Sequence, residues 1–63
     1  MTDFKHAFGA RVKFIRKSRN LTQEKLSEMI DIHLRQMSKI ETGEHFPSYK
    51  TLENLCFSLN IQP

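Results

Sequence analysis

Two short amphipathic stretches with only about three residues between them constrain this chain more than any other feature. The first runs from Thr22 to about Met29 or Ile30 and repeats Leu26, Met29 and Ile30 at helical spacing. The second runs from about His33 or Leu34 to Glu41 and carries Met37 and Ile40. Thr22 offers an N-cap oxygen, Glu24 falls in the positive first turn, and Lys25 fills the capping-box position in place of the usual Glu. Asp31 is the turn residue, and Gly43 follows the second stretch as a C-terminal stop. Helices this short, joined this tightly, must cross steeply. Ser27 is small, as required where two helices approach closely, and Ile32 supplies an apolar side chain in the joint.

The flanks also read as helix. A first helix, capped by Thr2 or Asp3 and ending near Ser18, places Phe8, Val12 and Ile15 on one side, with Ala7 and the Arg16 stem nearby. Gly9 inside it costs about 1 kcal/mol relative to Ala. Asn20 suits a left-handed terminator. Residues 44–47 form a loop, and Ser48 caps a last helix with the apolar set Tyr49, Leu52, Leu55, Cys56 and Leu59. Asn60 closes that helix and Ile61 packs back. With 63 residues the chain builds one domain, residues 1–63, around one core. Cys56 is the single cysteine, which excludes an intramolecular disulfide and suits a reducing compartment. No apolar run is long enough for a membrane span or a signal-peptide core, so a cytoplasmic protein is expected. The net charge of +3 is concentrated at one end: residues 1–20 hold six basic side chains against Asp3 alone. That suits an anionic partner, although a charge run is commonly a solvated helix face.

The steep crossing of helices 2 and 3, over residues 22–41, is the helix-turn-helix arrangement. With its flanks the chain resembles the Cro and phage-repressor type of helix-turn-helix DNA-binding domain. The resemblance is carried by Leu21-Thr22-Gln23-Glu24-x-Leu26-Ser27 and by Met37-Ser38-Lys39-Ile40-Glu41-Thr42-Gly43. Pro47-Ser48-x-x-Thr51-Leu52, Leu55-x-x-x-Leu59-x-Ile61 and Arg11-Val12-Lys13-x-Ile15-Arg16 extend it over roughly residues 8–61. It implies an all-α, lambda-repressor-like bundle of four short helices, with the family's usual fifth helix absent. It also implies a sequence-specific transcriptional regulator, a repressor or Cro-like protein, binding a pseudo-palindromic double-stranded operator as a homodimer. Asp31 stands where the family prefers Gly, and His33 where it usually carries a Ser or Thr cap.

On helix 3, Leu34, Arg35, Ser38, Lys39 and Thr42 span about 140° opposite Met37 and Ile40. One face is therefore buried and the other presents two cations, two hydroxyls and a small apolar group. Arg35 can bind guanine bidentately, Lys39 can do so less selectively, and Leu34 can meet a thymine methyl. Gln36 at the edge suits adenine or a backbone role. The candidate base contacts are thus Leu34, Arg35, Gln36, Ser38 and Lys39; on an arbitrary helix the two cations would be ordinary surface charges. By resemblance, Gln23 clamps the DNA backbone, with Thr42, Gly43, His45 and Lys50 as further phosphate candidates. Glu44 opposes that grip. Glu41, at the edge of the buried face, needs a partner, and Arg16 can supply it. The resemblance implies this ion pair, with Arg16 also reaching a phosphate.

Neither a nucleophile nor an acid–base pair in a pocket is recognisable, so no enzyme is expected. His6, His33 and His45 lie on separate elements without metal-ligand spacing, and no metal or cofactor is expected. Cys56 reads as core. Phe14 and Phe57 fall where the family places charge, and Phe57 is the candidate dimer contact. The alternative function is a protein-interaction module, such as an antitoxin-like partner, built on the same fold.

Overall fold

Three of the four helices begin where an N-cap side-chain oxygen accepts an amide, and three end on one recurring device. The computed structural model describes residues 3–60; Thr2 as an alternative cap and the packing of Ile61 lie outside that range. The helices are α1 (Phe4–Ser18), α2 (Gln23–Met29), α3 (Leu34–Thr42) and α4 (Tyr49–Ser58), with no strand among the described residues. Asp3, Thr22 and Ser48 accept the amides of His6, Lys25 and Thr51 and so cap α1, α2 and α4.

At the C-termini Asn20, Asp31 and Gly43 take left-handed φ of 58°, 58° and 86°. Each reversal returns two amides to the helix in a Schellman motif. Leu21 and Asn20 donate to the Arg16 and Lys17 carbonyls (3.1 and 3.0 Å), and Ile32 and Asp31 to those of Ser27 and Glu28 (3.1 and 3.3 Å). Glu44 and Gly43 donate to those of Lys39 and Ile40 (2.9 and 3.2 Å). The motif favours an apolar residue just past the reversal. Leu21 and Ile32 meet that demand by packing on the core. Asn60, after α4, has φ 55°.

The core comprises Val12, Ile15, Leu26, Ile30, Met37, Leu55 and Leu59, with Phe8, Leu21 and Ile32 against it. α3 packs on both α1 and α2. Gly9 sets the α1–α3 distance: a Cβ there would collide with the Ile40 carbonyl oxygen and lie 2.8 Å from that of Glu41. The glycine that weakens α1 as a helix is what lets α3 seat against it.

Three apolar assignments are corrected. Met29 is 44% exposed and Tyr49 78% exposed, while Ala7 is exposed as well. The buried face of α2 runs through Leu26, Ser27 and Ile30, which turns it more than about 100° away from Met29. That of α1 runs through Gly9, Val12, Ile15 and Arg16, roughly opposite Ala7. Tyr49 is the first residue of α4, a turn ahead of Leu52.

Candidate functional site

The expected site is organised around α3, whose buried face is Met37, Ile40 and Glu41. Glu41 is the unusual member, a carboxylate with its side chain 2% exposed. Three donors satisfy it. Arg16 Nε donates to Oε2 at 2.6 Å, Arg16 Nη2 to Oε1 at 3.1 Å, and Gln23 Nε2 to Oε1 at 2.9 Å. Arg16 Nη1 donates to the Leu21 carbonyl at 2.7 Å. One carboxylate thus ties α1, α2 and α3 together, and among the described residues no buried side-chain polar atom lacks a partner. Arg16 is itself buried, and Gln23 is half-buried at the start of α2.

With that face anchored, Leu34, Arg35, Gln36 and Thr42 are exposed and Ser38 and Lys39 half-buried. Leu34 is 47% exposed, an apolar side chain offered to a partner rather than to the core. Arg35, in the first turn of α3, and Lys39, one turn on, occupy helical positions on the side opposite buried Met37.

The segment after α3 differs from the expectation. Gly43 is buried and its amide is spent on the Ile40 carbonyl, so it serves as the helix stop and has no donor for a phosphate. The amides of Glu44 and His45 turn inward too, both to the Lys39 carbonyl. Thr42 Oγ1 donates to the same carbonyl at 3.2 Å. Only the exposed side chains of His45 and Lys50 remain free there to meet an anion.

Two features near this end gave little sequence signal. A Cβ on Gly43 would come within 2.5 Å of the His6 ring, so the start of α1 closes over the end of α3. Asp3 Oδ1 takes both the His6 amide (3.0 Å) and the His6 Nδ1 (2.6 Å), and these contacts lower the Asp3 pKa, the amide hydrogen bond foremost. Phe4, Phe8 and Phe46 cluster beside it, the Phe8 and Phe46 ring centres 4.9 Å apart. At the remaining expected position, Phe57 is 79% exposed on α4. Cys56 is half-buried. Among the described residues no group of His, Cys, Asp and Glu could hold a metal, and no helix is long and apolar enough to cross a membrane.

A family model described as a helix-turn-helix domain matches residues 9–63. The immunity repressor protein of Bacillus phage phi105 is 41% identical over 54 residues, which is 86% of this chain and 38% of the repressor. Control protein C.BamHI of Bacillus amyloliquefaciens is 39% identical over 57 residues, 89% of this chain and 70% of that protein. This chain thus spans well under half of the phage repressor and most of the control protein. Among solved structures, the restriction-modification controller protein C.AhdI of Aeromonas hydrophila superposes with a TM-score of 0.86 at 26% identity, covering 92% of this chain and 88% of that one.

Proposed function

This chain belongs to the helix-turn-helix domain family, of the Cro and phage-repressor type, and we propose that it regulates transcription by binding a specific double-stranded DNA site through α3. The single observation that carries the proposal is the division of α3. Met37, Ile40 and the triply bonded Glu41 hold one side rigidly, while Leu34, Arg35, Ser38 and Lys39 face outward as one short arc. A helix gripped from behind with cations in front suits the major groove, where Arg and Lys find guanine O6 and N7. Arg16 and Gln23, fixed by Glu41, and the side chains of His45 and Lys50 supply the phosphate contacts, which position the helix without reading sequence. The controller and repressor names of the similar proteins support the same reading. Binding rather than catalysis is the function we assign, in the cytoplasm where DNA is accessible.

Few phosphate contacts per chain mean weak binding by one copy. We therefore place two copies on a pseudo-palindromic operator, with half-sites about 34 Å apart. Phe57 is the side chain we assign to the contact between copies. Phe57→Glu should then lower self-association in sedimentation while the helical signal persists.

The deciding experiment is selection of bound sites from a random duplex library, repeated with Arg35→Ala, Lys39→Ala and Lys17→Ala. Either change on α3 should cost about 1–3 kcal/mol on the best site and relax one or two base pairs. Lys17→Ala should at most weaken all sites evenly. Unchanged preferences in both α3 variants, with helicity intact, would remove α3 as the reader and favour the protein-interaction function.

A further inference from the structure

We infer that the first two turns of α1 belong to the DNA grip: Phe4, acting through Phe46, is a positioning residue that holds His45 where a phosphate can meet it. The inference rests on the DNA-binding proposal above and deepens it. Residues 44 and 45 follow α3 as a short arch. Both of their backbone amides point inward to the Lys39 carbonyl, at 2.9 and 3.3 Å, so only the side chains are left to face an anion. Glu44 repels a phosphate and His45 can donate to one, and both are exposed. How the arch is held therefore decides which neighbour the duplex meets.

Both feet of the arch stand on α1. Gly43, the first foot, lies against the His6 ring, which a Cβ on that glycine would approach to 2.5 Å. Asp3 holds the ring in turn, with its Oδ1 2.6 Å from His6 Nδ1. Phe46, the second foot, meets Phe4 and Phe8, with ring centres 5.5 and 4.9 Å away. The rings are tilted by 36° and 51°, an offset arrangement at the spacing of favourable aromatic pairs.

Phe4 does little else in the fold. It lies outside the core, is 71% exposed, and its ring meets Phe8 and Phe46. A ring left so far in water adds little to the burial that stabilises the domain. Its contact instead limits the directions open to Phe46, which is itself 39% exposed, and His45 directly precedes Phe46. A hydrogen bond from an imidazole to a phosphate oxygen spans about 3 Å and weakens steeply beyond that, so a loop shift of roughly 1 Å breaks it.

The test is a double-mutant cycle on the full chain, with affinity measured on a duplex recovered by site selection with the wild type. Phe4→Ser and His45→Ala should each weaken binding several-fold, and the double variant should bind no more weakly than His45→Ala alone. Phe4→Tyr, which keeps the ring, should bind as the wild type does. Base preferences should stay the same throughout, because phosphate contacts carry no sequence information. A Phe4 that served only the fold would weaken binding equally with and without His45. Additive losses, wild-type affinity in Phe4→Ser, or no loss in His45→Ala would each overturn the inference. Where Phe4→Ser loses helicity, Phe4→Leu runs the same cycle with the same outcomes. If the wild type enriches no duplex, the DNA-binding proposal falls and takes this inference with it. If it enriches one and the cycle is additive, the inference alone falls.

Discussion

Arg16→Ala is the sharpest perturbation of the framework, and its size can be worked from the contacts. The change removes two of the three hydrogen bonds to Glu41 and the one to the Leu21 carbonyl. What remains for a carboxylate with its side chain 2% exposed is the neutral Gln23 amide. Stranding one partner of a buried ion pair costs about 3–5 kcal/mol. Losing the Leu21 bond adds about 1 kcal/mol. Water entering the space left by the guanidinium offsets part of this, so about 3 kcal/mol is the expected net loss. A domain of this size has roughly 3–9 kcal/mol in all, so the variant should lose between about a third and all of its stability. Lys17→Ala, one residue along and exposed, should stay within about 0.5 kcal/mol of the parent. Urea titrations followed by far-ultraviolet circular dichroism measure both. The double variant Arg16→Ala with Glu41→Ala removes the stranded charge and should recover about 1–3 kcal/mol relative to additivity. A loss in Arg16→Ala within 1 kcal/mol of that in Lys17→Ala, or strict additivity in the double variant, would refute the reasoning.

Gly9→Ala should destabilise by about 1–3 kcal/mol despite the better helix propensity of Ala, because its Cβ would run into the Ile40 carbonyl. Thermal melting checks this, and a higher melting temperature would show that α1 can shift freely. The Asp3 cap should give a small acid-side dependence of stability. Hydrogen bonds from the His6 amide and ring lower the Asp3 pKa below its ordinary 3.8 in the folded state. The stabilisation is therefore complete above the ordinary value and lost as pH falls through the lower folded one. Asp3→Asn should flatten the melting temperature between about pH 5 and pH 2, and an unchanged slope would count against the cap.

What the sequence made legible was governed by local chemistry. Asn20 and Asp31 are readable as helix terminators because their side chains tolerate positive φ better than others do. Thr22 and Ser48 are readable as caps because the hydroxyl, the amide it accepts and the apolar periodicity all lie within four residues. The residues misjudged or missed depend on distant partners. Gly9 looks like a defect until α3 is laid across it, since its meaning lies in carbonyls more than 30 residues away. Met29 fits the apolar stripe of α2 by spacing, but Ser27 is buried and swings the face away. Gly43 was expected to meet phosphate. Its stop role, readable from the sequence, spends the same amide that a phosphate would need.

Gln36 falls between these cases. Its capping partner is three residues away, so the contact is local, yet its residue type points to a different job on the same helix. The same reasoning applies to Gln23, whose amide is bound by Glu41 on one side and proposed to meet a phosphate on the other. An NH2 group has two hydrogens, so Gln23 can keep Glu41 satisfied while it grips DNA. A carboxamide oxygen has two lone pairs, so Gln36 can likewise hold the His33 amide and still accept a second hydrogen bond. Structural and recognition roles are thus compatible where the shared group keeps a free hydrogen or lone pair.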